Sequence, residues 1–306
     1  MHLGFTQSKS KQIIKMSPDN KTRLSELIQE RSIEMTDPAG RQVKIIEDNH
    51  ALKLADKFRC SIHNIYLEAM NLKIYPYRYL RNREAITLNE QIILAKSKVA
   101  IIGAGGLGGH VILSLARLGV GHLVIIDRDV FDESNLNRQA LSSTESIGFS
   151  KSESGARITG SINPGVIITP FMVKIETSNI DEMLDGVNVV VDALDNISDR
   201  FVLEKAVKRL KIPLVHGAVA GFEGQVMTIF PDDPGLKSLY GSDQGERNKR
   251  KSPEAILGVP AIAPSFISTL QTMEVLKIIL KRGNLFRNTM VHVDLETGQF
   301  DKFELS

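Results

Sequence analysis

The sequence predicts an α/β protein: a doubly wound, mainly parallel sheet with antiparallel strands toward the C-terminus, preceded by a small helical N-terminal segment. Two observations support this prediction. Between residues 98 and 219, short apolar strands alternate with amphipathic helices, which is the pattern of a parallel sheet covered on both faces. From residue 219 the chain instead shows a strand, a long polar loop, a helix and a final hairpin, which indicates antiparallel pairing.

The N-terminal quarter of the chain predicts a disordered start and an accessory domain. Residues 1–20 are polar and basic, and we expect them to be disordered. Apolar residues near helical spacing predict a helix over 21–35, followed by a turn and a short strand. The next stretch reads as two helices separated by a short turn, and Pro76 ends the second. We interpret 21–76 as a small accessory domain that resembles a helix-turn-helix, with packing favoured over DNA binding because no base-reading pattern is present.

The remainder, 77–306, predicts one domain built on the doubly wound sheet. The predicted helices cover 87–97, 108–118, 150–162, 178–185, 198–210 and 264–282. The predicted strands cover 98–103, 122–127, 166–173, 187–192, 213–219 and 224–230, with a hairpin over 290–305.

Composition excludes several classes of protein. The 306 residues carry a net charge of +2, so nothing indicates a nucleic-acid binder. No apolar run is long enough for a membrane span, and the N-terminus lacks the apolar stretch of a secretory signal. The single cysteine, Cys60, excludes an intrachain disulfide and an all-cysteine zinc site. We therefore expect a cytoplasmic protein in which Cys60 is a half-buried structural thiol.

A glycine loop marks the nucleotide site. The stretch "VAIIGAGGLGGHVI" reads as strand, tight turn and helix, with Gly103, Gly105, Gly106 and Gly108 in the turn. Such a Rossmann-like turn holds phosphate against the free N–H groups of a helix N-terminus. Asp127 ends the second strand, where an acidic residue binds the ribose hydroxyls. These residues leave NAD and ATP equally possible.

Polar residues on both sides of the glycine loop in the sequence favour ATP with Mg²⁺. They are Asp129, Asn135, Arg138 and Gln139 in "IDRDVFDESNLNRQ", Lys151 in "IGFSKSESGA", Asp195 and Asn196 in "VVVDALDNISDR", and Arg81 in "RYLRNRE". A triphosphate calls for several fixed cations, and its Mg²⁺ calls for a hard carboxylate. Alternatively, Arg138 forms a surface ion pair, Lys151 is a solvated lysine, and Asp195 and Asn196 cap a helix.

The same segments, in this order, resemble the ThiF/MoeB/HesA family, which is related to the ubiquitin-activating enzymes. Further matching pieces are "GVGHLVIIDRDVFDESNLNRQ", "INP", "IPLVHGAVAGFEGQV" and "TLQTMEVLKIIL". The resemblance covers the chain from about Tyr77 onward. It implies a nucleotidyltransferase: an adenylyltransferase that converts ATP and the C-terminal Gly-Gly carboxylate of a small ubiquitin-like sulfur carrier into an acyl-adenylate and pyrophosphate.

The resemblance also implies residue roles. Asp127 would hold the ribose, Asn135, Arg138 and Lys151 the phosphates, and Asp195 the Mg²⁺. Arg81 would reach the phosphates, in the family often from the partner subunit of a homodimer. The residues with catalytic roles would be Arg81, Arg138, Lys151 and Asp195; those binding the nucleotide would be Gly103, Gly105, Gly106, Gly108, Asp127, Asp129, Asn135, Arg138, Gln139, Lys151, Asp195 and Asn196.

Two departures from the family pattern limit the implied chemistry. The paired CxxC motifs that bind structural zinc in many relatives are missing, so no zinc is expected. The stretch "LGVPAIAPSFISTLQ" has no cysteine where many relatives form a thioester or persulfide, so we expect adenylation only, with a separate sulfur donor.

The basic stretch "SDQGERNKRKSPEA" is either a solvated loop or a crossover loop that guides the carrier tail. Alternative functions are adenylation of a peptide carboxylate in a modified-peptide pathway, a nucleotide-binding regulatory protein and an NAD-dependent oxidoreductase.

Overall fold

The computed structural model describes residues 17–241 and 252–305 and divides the chain into two compact units, residues 1–92 and 93–306. Most of the predicted disordered start, and most of the predicted crossover loop, lie outside the described residues. Residues 18–20 differ from the prediction because Ser17 caps a helix there: its Oγ accepts the Asn20 N–H at 3.3 Å. The predicted boundary at 76/77 stays a prediction.

The first unit combines helices with a small sheet. Its elements are α1 Pro18–Arg31, β1 Ile33–Thr36, β2 Gln42–Ile46, α2 Asp48–Phe58, α3 Ile62–Asn71, β3 Tyr75–Pro76 and a 3-10 helix Tyr77–Asn82. The three strands form one sheet in the order β1-β2-β3. The predicted helix over 21–35 is wrong at its end, because Ser32 caps α1 and Ile33 pairs with Ile45 as a strand. The two successive helices are confirmed as α2 and α3, but α3 ends at Asn71, and Pro76 lies in β3 instead of ending the helix.

Cys60 lies between α2 and α3 in the first unit. It is half-buried and packs against the core that Ile28, Ile65 and Tyr66 share. The prediction of a half-buried thiol is therefore confirmed.

The second unit contains the doubly wound sheet. Helix α4 Leu88–Lys96 crosses the boundary between the units, and the elements that follow are β4 Lys98–Ile102, α5 Gly106–Leu118, β5 His122–Ile126, α6 Lys151–Ile162, β6 Ile167–Phe171, α7 Ile180–Met183, β7 Val189–Asp192, α8 Ile197–Leu210, β8 Leu214–Ala220, β9 Glu223–Ile229, α9 Lys237–Tyr240, α10 Pro253–Leu257, α11 Ile262–Leu280, β10 Thr289–Asp294 and β11 Gln299–Glu304. The strand order is β11-β10-β9-β8-β7-β4-β5-β6. Strands β4 to β8 pair in parallel, whereas β8 to β11 pair antiparallel, which confirms the predicted fold class.

The centre of this sheet is buried on both faces. In β4, Val99, Ala100, Ile101 and Ile102 are at most 1% exposed, as expected for an apolar strand between two helical layers. The strand order reverses at β4, between β5 on one side and β7 on the other. A reversal of this kind opens a crevice at the carboxyl ends of the strands, where doubly wound sheets bind ligands. Among the described helices, none is both long and apolar enough to cross a membrane.

Candidate functional site

The glycine loop joins β4 to α5 at the reversal of strand order. Gly103 has φ +96°, and a Cβ there would lie 2.5 Å from the Ala193 carbonyl oxygen. A Cβ on Gly108 would lie 1.8 Å from the Gly103 carbonyl oxygen, so only glycine fits. Helix α5 begins after Gly105 without a side-chain cap, and its first N–H groups are therefore available to an anion.

Backbone hydrogen bonds place the neighbouring strand ends beside this loop. The Gly103 N–H donates to the Ile126 carbonyl at 2.8 Å, at the end of β5. On the other side, the Ala193 N–H donates to the Ile102 carbonyl at 2.9 Å, just past β7. The segments that carry Asp127 and Asp195 consequently flank the glycine loop, as the sequence predicts for strand carboxyl ends.

Asp127 holds the loop through backbone amides. Its Oδ2 accepts the Ala104 N–H at 2.7 Å, and its Oδ1 accepts the Asp129 N–H at 2.8 Å. Burial raises the pKa of this carboxyl, and the two amide hydrogen bonds oppose the rise. Asp127 therefore shapes the loop itself, and its contact with a ribose stays a prediction.

Lys151 is a buried cation near Asp127. It is 7% exposed, and its Nζ lies 3.4 Å from Oδ2 of Asp129. Its own N–H donates to the Asp129 carbonyl at 3.0 Å, which ties the start of α6 to the segment after β5. The alternative of a solvated lysine does not hold, because the side chain is buried against an exposed carboxylate.

Asn135 organises the turn that presents Arg138 and Gln139. The Asn135 carbonyl accepts the N–H groups of Arg138 at 3.1 Å and Gln139 at 2.9 Å. Arg138 Nη1 donates to the Ser134 carbonyl at 3.0 Å and to Asn137 Oδ1 at 2.8 Å. In the part of the chain that the structure describes, Arg138 forms no ion pair with a carboxylate, so its charge is not neutralised there.

The side chains of Arg138 and Gln139 reach the glycine loop. The Arg138 Cγ lies 3.8 Å from the position that a Cβ on Gly106 would take, and the Gln139 Nε2 lies 3.7 Å from that position on Gly105. The Gln139 Oε1 is buried and accepts no hydrogen bond from the described residues. A cation and a polar amide therefore border the N-terminus of α5.

Asp195 and Asn196 differ in role. Asn196 is the N-cap of α8, and its Oδ1 accepts the Asp199 N–H at 2.8 Å, so the capping alternative holds for this residue. Asp195 is exposed, and its Oδ1 accepts only a 3.3 Å hydrogen bond from Asn196 Nδ2 among the described contacts. The described residues contain no cluster of three or more metal-ligating side chains. One open carboxylate beside the glycine loop nevertheless suits Mg²⁺, which takes much of its coordination from substrate phosphates and water.

Arg81 lies in the first unit. It is exposed in the last turn of the 3-10 helix Tyr77–Asn82. The structure brings the other predicted residues together in the second unit, whereas the role of Arg81 stays a prediction.

A buried polar network next to the site was not predicted from the sequence. Asp192 and His216 are 0% exposed, and Asp192 Oδ2 lies 2.7 Å from His216 Nδ1. Arg200, 4% exposed, bonds to the Tyr240 hydroxyl at 2.8 Å. The only signal in the sequence is that Asp192 and His216 interrupt apolar strands, since Arg200 and Tyr240 reach them from helices.

Comparison with known proteins decides the family. Residues 79–306 match the sequence model described as the ThiF family. The chain belongs to the ThiF family. This confirms the family resemblance that the motifs indicated.

Relatives of the chain are named as adenylyltransferases and activating enzymes. The SAMP-activating enzyme E1 of Haloferax volcanii is 36% identical over 215 residues, covering 68% of this chain and 76% of that protein. The molybdopterin-synthase adenylyltransferase of Salmonella typhimurium is 33% identical over 243 residues, covering 74% and 94%. Some relatives are longer: the chain spans 58% of the probable molybdopterin-synthase adenylyltransferase of Porphyra purpurea, at 30% identity. This ThiF-family chain is itself an enzyme of the adenylyltransferase class.

Solved structures agree with the fold. The structure of Escherichia coli MccB with ATP has a TM-score of 0.64 and 22% sequence identity, covering 80% of this chain and 78% of that one. At this identity the likeness shows the fold alone.

Proposed function

We propose that this ThiF-family enzyme uses ATP and Mg²⁺ to adenylate the C-terminal Gly-Gly carboxylate of a small ubiquitin-like sulfur-carrier protein. The observation that supports this most is the arrangement around the glycine loop: buried Lys151 and unneutralised Arg138 accompany it, and strand ends carrying Asp127 and Asp195 flank it. These residues do not favour an NAD-dependent reaction, because the pyrophosphate of a dinucleotide does not require this combination of cations and carboxylates.

The chemical step needs no general base. The carrier carboxylate is ionised at neutral pH, and one of its oxygens attacks the α-phosphorus of ATP. A new C–O–P bond forms, the bond between the α-phosphorus and its bridging oxygen breaks, and pyrophosphate leaves with the electron pair. The protein therefore contributes position and charge compensation rather than proton transfer.

Different residues of the site would bind the phosphates, fix the turn and hold the metal. The N–H groups at the start of α5 and the cations of Arg138 and Lys151 would bind phosphate oxygens and offset the charge that develops as pyrophosphate leaves. Asn135 and Gln139 would fix the turn that carries Arg138. Asp195 would hold Mg²⁺, which supplies additional charge neutralisation when bound.

Covalent transfer to this chain is not part of the proposal. Cys60 is the only cysteine in the sequence, and it packs against the core of the first unit. We propose that the acyl-adenylate reacts with a separate sulfur donor. We also propose that the enzyme acts as a cytoplasmic homodimer without structural zinc.

Pyrophosphate exchange tests the proposed substrate. We expect labelled pyrophosphate to enter ATP only with Mg²⁺ and one Gly-Gly-tailed protein from the same organism. The matched controls are that protein without its last glycine and with a C-terminal carboxamide, and both should stop exchange. Exchange supported by a short peptide instead would select the modified-peptide alternative. ATP binding without exchange for any carboxylate would contradict the proposed reaction and favour a regulatory role.

A further inference from the structure

Two buried charged side chains, Asp192 and Arg200, form hydrogen bonds with the backbone just before Asp195. Leu194 lies between Asp192 and Asp195, and its N–H donates to Asp192 Oδ1 at 3.0 Å. The Leu194 carbonyl accepts a hydrogen bond from Arg200 Nη2 at 2.6 Å. Both polar backbone groups of Leu194 are thus bonded to ionised side chains, and hydrogen bonds of this kind are stronger than neutral ones.

Tyr240 fixes the Arg200 guanidinium from the other side. The Tyr240 hydroxyl oxygen accepts hydrogen bonds from Arg200 Nη1 at 2.8 Å and from Gln225 Nε2 at 2.9 Å. Because these two bonds use both lone pairs, the hydroxyl hydrogen points to His216 Nε2, 3.1 Å away. His216 Nδ1 then carries the ring hydrogen and donates it to Asp192 at 2.7 Å. Every member of the network is fixed by its neighbours.

The charges in this network balance without a protonated histidine. Burial lowers the pKa of His216, which favours the neutral imidazole, and within the network the Arg200 cation faces the Asp192 anion, with Nε 3.7 Å from Oδ2. Burying this pair is expensive, and replacement by apolar residues is often neutral or stabilising. Stability therefore does not explain why a buried ion pair lies next to the segment that carries Asp195, and a functional role explains it better.

We propose that Tyr240 and Arg200 are positioning residues for Asp195, which set the backbone of Leu194 so that the Asp195 carboxylate meets the metal of bound Mg·ATP. This inference rests on the proposed function, in which Asp195 binds the metal. Tyr240 and Arg200 do so through the backbone and contact neither the metal nor the reacting atoms.

The test is Tyr240→Phe, because Arg200→Ala would leave Asp192 buried without its cation and unfold the unit. Removing one hydroxyl leaves Arg200, Gln225 and His216 without their shared partner. We expect hydrogen exchange at the Leu194 amide of the ligand-free protein, which is bonded to Asp192, to rise about tenfold. The affinity for Mn²⁺ in the presence of a non-hydrolysable ATP analogue, measured by electron paramagnetic resonance, should fall about tenfold. Affinity for the metal-free analogue should stay within about twofold.

Thr228→Val is the matched control. Thr228 is 1% exposed on β9 of the same sheet, and its hydroxyl donates to the buried Glu274 carboxylate at 2.5 Å. This variant also loses one buried hydroxyl, so its Tm should fall while hydrogen exchange at Leu194 and Mn²⁺ affinity stay unchanged. Equal behaviour of the two variants, or an equal loss of metal-free binding in Tyr240→Phe, would overturn the positioning role.

Asp195→Asn separates the two proposals. Loss of Mn²⁺ affinity in Asp195→Asn but not in Tyr240→Phe would overturn the positioning role and leave the proposed function standing. Unchanged Mn²⁺ affinity in Asp195→Asn would overturn the metal assignment in the proposed function, and the positioning role with it.

Discussion

Asp195→Asn is expected to reduce Mg²⁺-dependent ATP–pyrophosphate exchange by about a thousandfold, the size of effect seen when a fixed group that stabilises transition-state charge is removed. The substitution keeps the shape of the side chain and removes its negative charge. Asp195 is exposed and accepts one weak hydrogen bond, so the fold should be unaffected. Steady-state exchange across a Mg²⁺ titration, together with Tm, measures both expectations.

Asp185→Asn is the matched control for this variant. Asp185 is an exposed carboxylate that precedes β7, at the opposite end of the strand from Asp195. It should retain normal exchange at every Mg²⁺ concentration. Near-normal exchange in Asp195→Asn, or an equal loss in both variants, would contradict the assignment of Asp195 as the metal ligand.

Gly108→Ala is expected to reduce exchange by about a hundredfold, because a displacement of about 1 Å at a reacting phosphate costs that much. The new Cβ would lie 1.8 Å from the Gly103 carbonyl oxygen, and this oxygen belongs to backbone that cannot rotate away. The glycine loop must therefore shift, and the N–H groups of α5 shift with it. Helix propensity favours alanine over glycine by about 1 kcal/mol, so it cannot explain a loss of exchange activity in Gly108→Ala.

Gly160→Ala supplies the control for the Gly108 variant. Gly160 lies within α6, and nothing stands within 4 Å of the position a Cβ would take. This variant should keep full exchange activity and gain up to about 1 kcal/mol in the free energy of unfolding. Full ATP affinity and exchange in Gly108→Ala would show that the phosphate does not depend on this loop.

The sheet and the glycine loop were predictable because local patterns determine them. Alternation of apolar strands and amphipathic helices predicted the order of elements in the second unit, and the observed helix over Lys151–Ile162 agrees closely with the predicted 150–162. The start of β1 was not predictable from spacing alone. Ile33 fits a helical period, but Ser32 ends the helix and pairing with Ile45 makes the following residues a strand.

The candidate site was predictable where its residues follow strands. Asp127 directly follows β5 and Asp195 lies shortly after the end of β7, and topology brings such positions together. The network of Asp192, Arg200 and Tyr240 was not predictable, because its members lie 8 and 40 residues apart and meet only through packing of α8 and α9. Arg81 remains a prediction on the family resemblance, since it belongs to the first unit.

Transfer of an oxygen isotope from the carrier to AMP shows directly whether an acyl-adenylate forms. A carrier labelled with ¹⁸O in its C-terminal carboxylate would be incubated with the enzyme, Mg·ATP and hydroxylamine, which attacks the acyl carbon. We expect AMP with one ¹⁸O atom and a carrier hydroxamate, because the carboxylate oxygen forms the bond to the α-phosphorus. Unlabelled AMP, with both ¹⁸O atoms still on the carrier, would show that no acyl-adenylate forms and would rule out the proposed reaction.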